Sequence, residues 1–213
     1  MRHEGDVSRI PTRRKKGSRQ LPPTLKWPFP AWLNAARAPQ LKRGVGLLLN
    51  LMASKKIADA AIDRFAEIAC RYCAWAEGEL GDPNDEIRRV RLLLAELHLA
   101  AAELPDLGIG KNIDAVSISH EEWSRFYEKF GRLPIANYFD VFNPLQEEEP
   151  VINSLADDLA DIYRDVKEGL SLFEANHPID AAWEWRFGFQ THWGQHLVGA
   201  QRAIHEYLAD EGL

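Results

Sequence analysis

The stretch SLADDLADIYRDVKEGL, residues 154–170, decides the fold class. Apolar residues recur in it at spacings of three and four, which places them on one face of a helix. When this spacing is followed to position 173, the apolar face consists of Leu155, Leu159, Ile162, Val166, Leu170 and Phe173. Ser154 is suited to cap the helix, and Asp157 and Asp158 lie near the positive end of its dipole. The stretch therefore predicts one long amphipathic helix.

The same periodicity occurs in four more segments of the chain. We expect helices at about 54–80, 85–104, 119–130 and 181–209. Ser54 and Asp180 are predicted to cap the first and last of these, and Ser119 begins a capping box with Glu122. The sequence thus predicts an all-α, mainly antiparallel bundle of about five helices, with a long irregular segment at about 131–153 and no convincing strand.

Charge divides the chain into two parts. Residues 1–52 carry eleven Lys and Arg against two Asp and Glu, a net charge of +9, whereas residues 53–213 carry fifteen against thirty, a net charge of −15. Six of the twelve prolines lie within the first 43 residues, where they disfavour both helix and sheet. We predict a basic, Pro-rich leader at 1–52 and an acidic, all-helical domain at 53–213. The leader is expected to be disordered, to act as a nucleic-acid or membrane-surface arm, or to precede the true start near Met52.

Cysteine usage and hydropathy favour the cytoplasm. The two cysteines, Cys70 and Cys73, provide no disulfide framework, which is typical of a reducing compartment. They are predicted to lie in mid-helix, where a redox motif does not occur, so packing is their expected role. No segment has the length of about 18 apolar residues that a membrane span needs. The acidic domain also disfavours direct nucleic-acid binding, because phosphate contacts need Lys and Arg.

The last two predicted helices contain the residues best suited to bind a ligand. On a helical projection Trp185 and Arg186 fall in the apolar sector of the last helix, and Asp158 and Asp165 flank the apolar face of the helix before it. A buried arginine is costly without a carboxylate, so Arg186 is predicted to pair with Asp165 or Asp158. These four residues form either a structural ion-pair region or an anion-binding site based on the arginine fork.

His192 and His196 are spaced so that both imidazoles can bind one metal ion from one helix face. Asp161 or Asp165 of the neighbouring helix would supply a third ligand, as in carboxylate-rich helical bundles. The alternative is that both histidines are hydrogen-bonded to aspartates at a helix interface. The sequence therefore predicts no cofactor as the default and a divalent metal as the alternative.

Several motifs of the chain occur together in a characteristic order. They are Tyr72-Cys73-Ala-Trp75 and Ala102-Glu103-Leu104-Pro105 in the first half, and Asp157–Leu170, Trp183-Glu-Trp185-Arg186-Phe and His192-Trp193-Gly194-Gln-His196 in the second half. With these motifs the chain resembles a bacterial family, the domain of unknown function 5063. It covers about residues 55–207 and does not extend into the leader. The resemblance implies an all-helical cytoplasmic domain, and it brings neither an assigned activity nor catalytic residues.

Two functions fit these observations. The first is a non-enzymatic cytoplasmic binding or adaptor module, whose partner would be a protein or a small molecule. The second is a metal-dependent or anion-binding enzyme for small molecules, which uses the His, Asp and Arg cluster between the last two helices. In the enzyme, Arg186 would bind an anionic group and a carboxylate would act as general base.

Overall fold

The computed structural model describes residues 43–111, 113–141 and 143–212. These residues form six helices and one antiparallel pair of short strands. The helices are α1 (Arg43–Glu77), α2 (Pro83–Glu103), α3 (His120–Phe130), α4 (Leu155–Glu174), α5 (Pro178–Thr191) and α6 (Trp193–Asp210), and the strands are β1 (Asn137–Asp140) and β2 (Val151–Ser154). The prediction of a mostly helical bundle is confirmed. Most of the predicted leader, residues 1–42, lies outside the described residues.

Helix α4 lies at the centre of the bundle. The apolar face predicted from residues 154–170 packs against α3, α5 and α6, and Leu155, Leu159 and Val166 are fully buried. Tyr72 of α1 donates a hydrogen bond to the carbonyl oxygen of Leu159, at 2.9 Å. Ser154 caps α4 as predicted, because its Oγ accepts from the backbone N–H of Asp157. Every other helix is therefore positioned directly or indirectly by α4.

The helices pack in both relative directions. Arg64 and Arg71 of α1 form ion pairs with Glu103 and Glu96 of α2, so these two helices are antiparallel. Helices α4 and α6 are antiparallel too, because Asp158 contacts His196 and Asp165 contacts His192, at the start of α6. In contrast, α3 runs in the same direction as α4, since its residues 123 and 126 contact residues 161 and 163 in order.

In the described part of the chain, no helix has the length and apolar character that a membrane span requires.

The first and last predicted helices differ from the observed ones in where they begin and end. Ser54 lies inside α1, which begins at Arg43, so the predicted cap there is wrong. Asp180 does not cap the last helix either, because α5 begins at Pro178, a residue favoured in the first helical turn. The stretch predicted as a single helix at 181–209 is broken at His192, whose φ and ψ angles are −147° and −86°.

The segment predicted to be irregular contains a hairpin, so the expectation of no strand there is wrong. Strands β1 and β2 pair with Tyr138 opposite Asn153 and Phe139 opposite Ile152. Each strand has only four residues, which is too short for the two-residue alternation of a strand to stand out in the sequence. The hairpin leads directly into α4, and β1 lies next to α6.

The two cysteines differ in accessibility, which gives the first testable prediction. Both are free thiols; Cys70 is exposed and Cys73 is buried. Burial raises the pKa of Cys73 to about 12, so its thiolate is scarce at neutral pH and thiol reagents cannot reach it. In native protein, Ellman's reagent is expected to modify one thiol rapidly and the second only after unfolding. The Cys70→Ser variant should lose the rapid phase, and two rapid thiols in the native protein would contradict this packing.

Candidate functional site

The acidic flank of α4 meets the break between α5 and α6. His192 Nδ1 lies 2.7 Å from Asp165 Oδ2, and His196 Nδ1 lies 2.9 Å from Asp158 Oδ1. An ionised carboxylate can only accept hydrogen bonds, so each ring donates from its Nδ1. In the neutral imidazole this leaves Nε2 of both rings with a free lone pair.

Asp161 completes the cluster from the middle of the same α4 face. Its Oδ1 accepts a hydrogen bond from Trp123 Nε1 at 2.9 Å and pairs with Arg164 Nη2 at 2.7 Å. Its Oδ2 lies 3.4 Å from Nε2 of His196. One oxygen of Asp161 is therefore fixed by two donors, while the other is directed towards the free nitrogen of a histidine.

Two sets of three residues bring ligand atoms together. One ligand atom from each of Asp161, His192 and His196 lies within 4.8 Å of the others, and the same holds for Asp157, Asp158 and His196. Both oxygens of Asp158 already accept hydrogen bonds, so the second set would have to break them. In the first set, Nε2 of His196 and Oδ2 of Asp161 face each other at 3.4 Å.

Burial decreases from one side of the cluster to the other. The Asp158 side chain is 4% exposed, whereas that of His192 is 41% exposed. Asp161, Asp165 and His196 lie between these limits. The cluster therefore has a buried side on α4 and an exposed side at the helix break.

The electrostatics of the cluster reflect an excess of carboxylates. Burial raises the pKa of Asp158, although hydrogen bonds from His196 and Tyr138 act in the opposite direction. Burial also raises the pKa of Asp157, and the nearby charge of Asp161 raises it further. Burial lowers the pKa of His196, but its hydrogen bond to Asp158 and the surrounding negative charges outweigh this and raise it. An added cation would be stabilised here.

Not all the predicted site residues lie in this cluster. The prediction that Arg186 pairs with Asp165 or Asp158 is wrong: it donates to the carbonyl oxygen of Leu104 at 3.0 Å and lies 3.6 Å from Asp106. Arg186 therefore faces the loop after α2 and not the aspartates of α4.

Trp185, the other predicted ligand-binding residue of α5, is fully buried. Its indole N–H donates to the carbonyl oxygen of Val166 at 3.0 Å, and its ring packs on Phe65 with centroids 4.6 Å apart. Trp185 is therefore part of the core that holds α5 against α4.

Three contributors to the cluster were not recognised in the sequence. Trp123 and Arg164 fix one oxygen of Asp161, and Tyr138 of β1 hydrogen-bonds to Asp158 at 2.6 Å. Arg164 lies three residues after Asp161, so helical spacing could have indicated that pair. Trp123 and Tyr138 come from other elements, and no spacing rule connects them to α4.

Comparisons with known proteins agree with the resemblance noted in the sequence. A family model described as a domain of unknown function (DUF5063) matches residues 56–210. The crystal structure of protein BF1032 from Bacteroides fragilis is similar, with a TM-score of 0.59 and 21% sequence identity, over 71% of this chain and 94% of that chain. At this identity the likeness shows the shared fold alone. A search of curated proteins gives no match.

Proposed function

The chain belongs to the DUF5063 family, and within that family we propose that it binds a divalent transition-metal ion through His192, His196 and Asp161. One observation carries the proposal. Each histidine is hydrogen-bonded to an aspartate through Nδ1, and one ligand atom of each histidine and of Asp161 lies within 4.8 Å of the others.

The distances suit a metal ion. Nitrogen and oxygen ligands lie about 2.0–2.2 Å from Zn²⁺ in a tetrahedral site, so neighbouring ligand atoms are about 3.3–3.6 Å apart. Nε2 of His196 and Oδ2 of Asp161 are 3.4 Å apart. His192 is the most exposed of the three, and in the proposed site its Nε2 would be the third ligand atom.

The surrounding hydrogen bonds are those that metal-binding histidines use. A ligating histidine almost always donates its other ring N–H to a carboxylate or carbonyl, which fixes its tautomer and orientation. Asp165 and Asp158 have this role for His192 and His196. Trp123 and Arg164 do the same for the carboxylate of Asp161. These hydrogen bonds support the choice of His192, His196 and Asp161 as the metal ligands.

The donor set selects a class of metal. Two imidazoles and one carboxylate favour Zn²⁺, Fe²⁺ and similar ions, whereas Mg²⁺ and Ca²⁺ prefer oxygen ligands alone. Three protein ligands are typical of catalytic rather than structural sites, because a position remains for water or substrate. That position would face the exposed side at His192. For this reason we favour a metal-dependent function on small molecules over a non-enzymatic adaptor module.

Metal binding by the wild-type protein tests the proposal. After dialysis against a chelator, titration with ZnCl₂ in a calorimeter is expected to show one high-affinity site per chain. At a free Zn²⁺ concentration of 100 times Kd, the native state should gain about 2.7 kcal/mol, seen as a higher melting temperature that EDTA reverses. MgCl₂ should have little effect. No heat of binding and an unchanged melting temperature would contradict the proposal.

A further inference from the structure

We propose that the β1–β2 hairpin positions the metal ligand His196 through Tyr138, so that hairpin docking and metal affinity are linked. This inference rests on the proposed metal site. The hairpin does not contribute a ligand itself. It acts through the aspartate that orients His196.

A continuous series of hydrogen bonds runs from the hairpin to the site. Tyr138 Oη donates to Asp158 Oδ2 at 2.6 Å, and Asp158 Oδ1 accepts from His196 Nδ1 at 2.9 Å. The Asp158 side chain is 4% exposed, so water cannot easily replace the tyrosine. With both oxygens held, the carboxylate has one orientation, and it keeps the proton of His196 on Nδ1 and the lone pair on Nε2.

The position of Tyr138 is itself fixed by α6. A Cβ atom at residue 199 would collide with the hydroxyl of Tyr138, so a glycine is needed there for β1 to approach the helix. Two residues along β1, Asp140 forms an ion pair of 2.9 Å with Arg202 of the same helix. The hairpin thus contacts α6 at Gly199 and at Arg202, three and six residues beyond His196.

This arrangement couples the docking of the hairpin on α6 to metal binding at His196. If a docked hairpin strengthens metal binding, a bound metal must stabilise hairpin docking by the same free energy. Phe139 and Ile152, which face each other on the outer side of the hairpin, are 71% and 68% exposed, so they contribute little to its docking. Tyr138 and the Asp140–Arg202 pair attach β1 to the bundle through polar contacts.

The Tyr138→Phe variant tests the coupling, since it removes only the hydroxyl. Its Kd for Zn²⁺ is expected to rise by roughly 3- to 10-fold, near the lower end of the effect of groups that orient a ligand. Tyr207→Phe is the matched control, because Tyr207 Oη also makes one hydrogen bond, to Asn84 Oδ1 at 2.9 Å, on the α2 side of α6. That variant loses a comparable bond and should bind Zn²⁺ as the wild type does.

Two further measurements separate positioning from a general loss of structure. In wild-type protein, Zn²⁺ is expected to slow amide hydrogen exchange in residues 137–140, and Tyr138→Phe should reduce this protection. Without metal, ¹⁵N NMR should show the Nδ1–H tautomer of His196 in the wild type and a mixed population in Tyr138→Phe. Equal Zn²⁺ affinity and equal tautomer populations in the two proteins would overturn the inference while leaving the metal site intact. Absence of Zn²⁺ binding by the wild type would instead overturn the metal site on which it rests.

Discussion

Replacing Asp161 with Asn is expected to raise the Kd for Zn²⁺ by 100-fold or more. The change removes the negative charge and places an amide where Oδ2 faces Nε2 of His196, at 3.4 Å. Changes in groups that only orient a ligand cost about 10–100-fold in affinity, so loss of a ligand should cost at least the upper part of that range. The Asn oxygen can still accept from Trp123, so the fold should be retained. Calorimetric titration of the chelator-treated variant measures the effect.

Matched controls on the same helices show whether the effect belongs to the site. Glu174→Gln neutralises an exposed carboxylate at the end of α4, and His205→Gln removes an exposed histidine of α6. Both should bind Zn²⁺ with wild-type affinity, whereas His196→Gln should behave like Asp161→Asn. If Asp161→Asn and Glu174→Gln weaken binding equally, the ion is attracted by overall charge and not by three defined ligands.

Replacing Trp185 with Ala is expected to lower the free energy of unfolding by about 3–5 kcal/mol, the usual cost of removing a buried tryptophan. Its ring is fully buried and contacts Phe65. Its carbonyl oxygen also accepts from Trp193 Nε1 at 3.1 Å, the residue next to His192. Urea unfolding followed by circular dichroism measures the loss, and Zn²⁺ binding should weaken because α5 no longer has a fixed position.

Trp183→Ala is the comparison for this core substitution. Trp183 is only partly buried and stacks on the half-exposed Phe187, with ring centroids 4.9 Å apart. We expect a loss of about 1 kcal/mol, the centre of the range for single substitutions. A loss for Trp183→Ala as large as that for Trp185→Ala would contradict the assignment of Trp185 to the core.

Much of the helical framework could be predicted, because the start and the buried face of a helix depend on residues that are close in sequence. The apolar period of residues 154–170 and the cap at Ser154 are properties of adjacent residues, and α4 is found where they indicate. The break at His192 was not predicted. Helical periodicity continues through it, and the break brings Gly194 so close to the Phe189 carbonyl oxygen that a Cβ atom would collide there.

The candidate site was only partly predictable, because some of its contacts depend on helical spacing and others on tertiary packing. The spacing of His192 and His196 and the aspartates of α4 indicated a shared region, because helical geometry fixes which residues share a face. The direction in which α5 turns depends on the packing of Trp185 between α1 and α4. That rotation places Arg186 against the loop after α2. Tyr138 comes from a hairpin whose position depends on tertiary contacts alone.

Diffraction at the zinc absorption edge, from crystals grown with Zn²⁺, tests the central claim most directly. The proposed site predicts one anomalous peak per chain at about 2.0–2.2 Å from Nε2 of His192, Nε2 of His196 and an oxygen of Asp161, with Nδ1 of both rings still on Asp165 and Asp158. A peak at another group of residues, or none at this one at full Zn²⁺ saturation, would contradict it.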